Sequence, residues 1–126
     1  MTPNTLAQRA YARASAPTRT PRKLEYDVIA RVTHRLKSSA KKGTSGFSDL
    51  VHALHENRQL WTILAADVAD VANELPTPLR AQLFYLAEFT HHHSQKVLAG
   101  KASVRPLLEV NTAVLRGLRD NGVQAA

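Results

Sequence analysis

The sequence predicts an all-α protein, a small antiparallel helical bundle of four to five helices. Three observations carry this. Apolar residues recur every three or four positions in four separate stretches, and each stretch is bounded by capping residues. Glycine is sparse, five in 126 residues, which argues against a turn-rich β fold. With three Phe, three Tyr and one Trp, the core must be built mainly from Leu, Val and Ala, which suits packed helices. The length fits a single domain over 1–126. Within it, residues 1–21 read as a short N-terminal helix and linker, 22–119 as the bundle and 120–126 as a flexible tail.

Residues 4–14 (NTLAQRAYARA) form a short helical stretch capped by Asn4 or Thr5, marginal if alone. Residues 15–21 carry two prolines and read as a linker. Thr20 is a suitable N-cap, with Pro21 in the first helical position. Leu24, Val28, Val32 and Leu36 then recur every four residues with Ile29 beside them, Lys41 and Lys42 favour the C-terminal end of the dipole, and Gly43 ends the helix. After a loop at 44–46, the next helix spans about 47–72. Its stripe is Leu50, Leu54, Asn57, Trp61, Leu64, Val68 and Val71, a heptad-like seam with Asn57 its one polar member. Leu75-Pro76-Thr77-Pro78 breaks the chain. Thr77 is then expected to cap and Pro78 to open a helix reaching Leu98, with Leu79, Leu83, Leu86, Thr90 and Val97 as its stripe, Phe84 and Phe89 flanking, and Gly100 as its stop. Ser103 is the expected cap of the last helix. Its apolar face is Leu107, Leu108, Asn111, Val114, Leu115 and Leu118, interrupted again by an Asn, and Gly117 and Gly122 suggest a fraying tail. The short connections make neighbouring helices antiparallel.

The net charge of +7 is unevenly placed. Residues 1–42 hold ten Lys and Arg against Glu25 and Asp27, whereas residues 43–126 hold seven against eight acids. A cation-rich first third suits an acidic protein surface, RNA or an anionic membrane, or serves only as a solvated face. No apolar run approaches the roughly 18 residues of a membrane span, and residues 1–31 contain no signal-peptide core. Residues 1–23, with five basic residues, five Ser or Thr and no acid, also have the composition of a mitochondrial transit peptide.

Catalytic and metal chemistry find little support. The absence of Cys excludes disulfides, thiol catalysis and Cys-based zinc sites. His91, His92 and His93 are consecutive on a helix, where side chains splay about 100° apart and cannot converge on one ion. His52 and His55 lie one turn apart, but no third ligand is supplied. No Gly-rich phosphate loop and no nucleophile elbow is present. The expectation is a binding protein, not an enzyme, with no cofactor, no metal and no small-molecule substrate. Its most distinctive cluster is Asn57-Arg58-Gln59-Leu60-Trp61. Trp and Arg dominate protein–protein hot spots, although Trp61 serves equally well as a core residue, and both readings hold if the ring fills the core beneath a groove.

Several stretches carry a family resemblance. They are Glu25-Tyr26 with the helix that follows, Asn57-Arg58-x-Leu60-Trp61, Leu75-Pro-x-x-Leu79-Arg80-Ala81-Gln82, and Pro106 to Asn111 with Gly117-Leu118. In this order and spacing, over about Tyr11 to Leu118, the chain resembles the alphaproteobacterial flagellar regulators of the FlaF family. The resemblance implies a small helical protein of the bacterial cytoplasm. Such proteins bind flagellin as export chaperones and influence translation of flagellin mRNA, in opposition to a partner repressor of the FlbT family. It makes the basic N-terminus part of the domain instead of a transit peptide. It implies partner-binding roles for the matching positions Asn57, Arg58, Trp61, Arg80, Gln82 and Asn111, either in holding the fold or in contacting the client. The expected partner is a helical terminal segment of flagellin. The alternatives are an RNA-binding regulator acting through residues 9–42 and a scaffold for other regulators. No membrane partner is expected.

Overall fold

The computed structural model describes the backbone of residues 21–125 and the side chains of residues 25–118. The expected helix at 4–14, its linker, the Thr20 cap and the Leu24 side chain lie outside the described residues, as do the side chains of the tail. Four helices follow one another: α1 (Pro21–Lys41), α2 (Phe47–Ala69), α3 (Thr77–Leu98) and α4 (Arg105–Ala125), with a 3-10 turn at Gly43–Gly46. Among the described residues there is no strand, so the all-α expectation is met.

The helix ends follow local chemistry. Gly43 and Gly100 take the left-handed conformation, φ 64° and 73°, that ends α1 and α3 as the sequence indicates. Helix α2 stops at Ala69, short of the expected 72. Asp70 Oδ1 accepts the Ala72 N–H at 2.8 Å, and Asn73 Oδ1 accepts the Leu75 N–H at 2.9 Å. These side chains offer the backbone a turn that competes with another helical residue. Val71, expected in the apolar seam, is therefore 95% exposed. Thr77 is not a side-chain cap. Pro76 holds the cap position, its carbonyl accepting the Arg80 N–H at 3.0 Å, and Thr77 is already helical. Ser103 makes a weaker contact than a cap would, 3.4 Å from the Arg105 N–H, while the Val104 carbonyl takes the Leu107 and Leu108 N–H groups. The helical backbone of α4 continues through Gly117 and Gly122 to Ala125.

Chain neighbours pack antiparallel, and α4 returns to lie against α1, so α2 and α4 face each other across the bundle. Two apolar clusters fill it. One draws on all four helices: Leu36, Ala53, Leu54, Val97 and Leu107, with Leu50, Phe89, Leu98 and Leu108 packed around them. The other contains Ile29, Val32 and Leu60, with Val28, Leu64, Val114, Leu115 and Leu118, and draws nothing from α3. Helices α3 and α4 thus meet at the end where the 99–104 connection joins them and share no core at the other. On the surface, Arg35 pairs with Glu56 and Lys42 with Asp49, tying α1 to α2. The Lys42 ammonium holds the Asp49 carboxyl below its usual range.

The corner between α1 and α2 admits only glycine at position 46. A Cβ there would stand 2.3 Å from Lys42 Cβ and 3.1 Å from the Ser39 carbonyl oxygen. The corner must open to make room. Gly46→Ala is expected to lower stability by about 1–3 kcal/mol, as overpacking does. Chemical denaturation of the two proteins measures it, and an unchanged midpoint contradicts this account of the corner.

Candidate functional site

Between the two apolar clusters lies a layer of buried polar side chains. Asn111 on α4 is its centre. The Trp61 indole N–H donates to Asn111 Oδ1 at 2.8 Å. Asn111 Nδ2 donates to Asn57 Oδ1 at 2.8 Å and to Thr33 Oγ1 at 3.0 Å, and Thr33 donates onward to the Ile29 carbonyl at 2.6 Å. One amide therefore joins α1, α2 and α4. Its orientation is forced, because an indole N–H can only donate, so the Asn111 atom facing it is the oxygen. The same logic then turns the Asn57 oxygen toward Asn111. Asn57, Trp61, Asn111 and Thr90 are all fully buried. Asn57 Nδ2 and Thr90 Oγ1 have no hydrogen-bond partner in the structure. Burying such groups unpaired is unfavourable, so this layer gives up stability for a defined register.

The six residues with implied binding roles thus divide. Asn57, Trp61 and Asn111 are interior and present no surface to a partner. Arg80, half-buried, donates through Nε to the Val68 carbonyl at 2.8 Å and through Nη2 to the Asp70 carbonyl at 3.0 Å. These are carbonyls that the end of α2 leaves without helical partners, and Arg80 fastens the start of α3 to them. Arg58 is half-buried on the outer seam of α2 and α3, and Gln82 is exposed on α3. The fold does not bring the six into one patch.

The histidine run also divides. Arg58 Nε donates to His91 Nδ1 at 3.4 Å, so the His91 proton sits on Nε2, which lies 3.2 Å from Thr62 Oγ1. Thr62 in turn donates to the Arg58 carbonyl at 2.8 Å. His93 stacks on Phe89 with ring centroids 5.3 Å apart, and its Nε2 lies 2.8 Å from the Ser103 carbonyl, pinning α3 to the 99–104 connection. His92 is exposed. In the sequence the three are weighed only as metal ligands, and nothing there signals these two ties. Among the described residues, no group of three or more His, Cys, Asp or Glu is placed to hold a metal ion.

The open end offers a different surface. On α3, Leu79, Leu83 and Leu86 are half-buried and belong to neither core cluster. Helical spacing aims them, with Gln82 at the margin, toward the α4 side. Opposite them Val110 and Val114 are half-buried on α4, and a Cβ built on Gly117 would meet nothing within 4 Å. Phe84 and Tyr85, 43% and 67% exposed, lie on the outer side of α3. A row of half-buried leucines on α3 therefore lies toward α4 at the end where the two helices share no core cluster. No helix among the described residues is long and apolar enough to cross a membrane.

The class the fold defines is a small all-α bundle with an interior polar layer. The sequence profile of the flagellar protein FlaF matches residues 7–118, and the chain belongs to that family. No curated protein and no solved structure matches it. Membership places the protein in flagellum-related function.

Two predictions test this geometry. Asn111→Ala leaves the Trp61 N–H and the Asn57 oxygen buried without partners. It is expected to lower stability by about 2–6 kcal/mol, from roughly 1–3 kcal/mol for each of the two orphaned groups. Urea unfolding followed by circular dichroism measures this, and a loss below about 1 kcal/mol, the scale of a single net hydrogen bond, removes Asn111 from the centre. The second concerns pH. Burial foremost, then the Arg58 and His92 charges, hold His91 below its ordinary value of 6.5. Above that value both folded and unfolded chains leave His91 neutral. As pH falls through it, the unfolded chain takes the proton first, so stability falls until the folded value is passed. His91→Gln is expected to shallow the drop in unfolding midpoint between about pH 7.5 and 5.5, on either side of the unperturbed value. Equal drops in both proteins refute this.

Proposed function

We propose that this FlaF-family protein is a flagellin-binding chaperone, holding a helical terminal segment of flagellin during export and thereby taking part in the control of flagellin synthesis. The observation that carries the reading is the strip formed by Leu79, Leu83 and Leu86 on α3 and Val110 and Val114 on α4. An amphipathic helix laid into such a strip buries its apolar face without requiring a nucleotide. Exposed apolar area of this kind marks interaction surfaces. Family membership supplies the flagellar setting.

In this reading Gln82 lies at the margin of the contact, whereas Arg58, tied to His91 on the outer seam of α2 and α3, lies outside it. Trp61, Asn57 and Asn111 serve from within by holding α2 and α4 at the spacing that frames the strip, and Arg80 anchors the start of α3. A repressor of the FlbT family is a second proposed partner. RNA contact through residues 9–42 is the competing reading, favoured by the exposed Arg31, Lys37 and Lys41 on α1. Binding by such cations weakens steeply with salt, whereas apolar burial does not.

The test is calorimetric titration of a flagellin terminal segment into variants whose fold is checked by circular dichroism. Leu79→Gln and Leu86→Gln are each expected to leave the helical signal intact and to weaken binding by about tenfold, a change of roughly 1.4 kcal/mol. Unchanged affinity in both removes this face from the contact. Binding that collapses between low and moderate salt favours the RNA-type electrostatic reading instead.

A further inference from the structure

The client contact proposed above uses one side of α3. On the other side Ala81, Tyr85, Glu88, His92 and Lys96 recur in steps of three and four, the spacing of one helical face, and all five are exposed. The charges on this face are arranged about His92. Glu88 lies four residues before it and Lys96 four residues after it.

The neighbouring helix widens the face. Helix α2 lies against α3 along an outer seam closed by Arg58, Thr62 and His91. Val51 and Phe47 precede Arg58 by seven and eleven residues, which puts them on the same side of α2, and both are exposed. Leu50 packs with Leu98 in one cluster, so Phe47 and Val51 stand beside the end of α3. Phe84 and Tyr85 stand in its first half. Exposed apolar side chains therefore occupy both ends of the seam, as interaction surfaces do. Charge separates the two ends. Residues 66–88 hold Asp67, Asp70, Glu74 and Glu88 against Arg80, whose guanidinium is bonded to the Val68 and Asp70 carbonyls. Residues 92–105 hold Lys96, Lys101 and Arg105 and no acid.

A face with one acidic and one basic end, each carrying apolar side chains, is complementary to itself turned end for end. That is the requirement for a two-fold contact, in which a patch meets its own copy. We propose that this face pairs two copies of the chain, α3 against α3, antiparallel about a two-fold axis near His92. Glu88 of one copy then meets Lys96 of the other, and the contact is made twice. Phe84 and Tyr85 of each copy lie against Phe47 and the end of α3 of the other. From Phe84 to Gly100 the helix runs about 24 Å, and two helices side by side are about 20 Å wide, so each copy covers roughly 500 Å². The total of about 1,000 Å² is at the low end for a specific interface and fits association in the micromolar range. Leu79, Leu83 and Leu86 lie on the opposite side of α3, so pairing leaves them open and does not rest on the flagellin reading.

Sedimentation velocity of the full-length protein from about 1 to 200 μM brackets that range. The mass is expected to rise from 13.9 kDa to twice that value and no further. Tyr85→Ser, at an exposed site, should keep the helical circular dichroism signal and weaken pairing by at least about tenfold. Glu88→Lys and Lys96→Glu each set like charges against one another, and each protein alone should stay monomeric. Mixed in equal amounts they should pair, because one copy then carries lysine at both positions and the other glutamate at both. Four results overturn the pairing: an unsubstituted protein still monomeric at the highest concentration, species heavier than two copies, a Tyr85→Ser protein that pairs undiminished, or a mixture no heavier than its components.

Discussion

Everything else in this bundle depends on the hydrogen bond from the Trp61 indole to the Asn111 side chain. It fixes which way the Asn111 amide points, and that orientation decides the bonds to Asn57 and Thr33. Helices α2 and α4 are diagonal neighbours, too far apart for their backbones to meet, yet this contact locks their relative height. Sliding α4 by one turn along α1 would leave apolar packing largely available and would break every bond that Asn111 makes. The apolar clusters on either side supply burial at about 25 cal/mol per Å², but such burial is indifferent to small shifts in register. The polar layer is what is not indifferent.

The same layer explains why α3 can behave differently. It joins α1, α2 and α4, whereas on α3 the buried Thr90 Oγ1 has no partner and Ser94 bonds back to its own helix. Helix α3 is held instead by attachments along α2 and at its ends: Arg80 on the α2 carbonyls, His91 against Arg58, and His93 on the Ser103 carbonyl. Helix α3 thus shares the apolar cluster at one end of the bundle with the other three helices and takes no part in the cluster at the other end. The surface proposed for binding lies at the end where α3 shares no core cluster with α4. Gaining or losing an occupant there need not disturb the locked core.

Much of the fold was legible in the sequence because its determinants are local. Gly43, Gly100 and Pro78 act within a turn of themselves, and the stripes on α1, α2 and α4 followed from periodicity. The boundary of α2 was misjudged because Asp70 and Asn73 are unremarkable in composition and act only by bending back onto the backbone. The candidate site was less legible. Asn57 and Asn111 were each noticed as polar interruptions of an apolar stripe, but they lie 54 positions apart. That two such interruptions answer each other was the available signal. Arg80 and His91 gave no such signal, since an Arg capping a neighbouring helix looks in sequence like any surface Arg. Nor can periodicity show that a regular stripe on α3 faces a space that α4 leaves open.

A last consequence is optical. The chain has a single tryptophan, and its indole is the donor on which the polar layer turns. Fully enclosed and hydrogen-bonded to an amide, it sits among dipoles that are held fixed. Emission excited at the red edge of tryptophan absorption, where the three tyrosines do not absorb, therefore comes from this one indole. The light this protein emits is a direct reading of whether α2 and α4 stand in register.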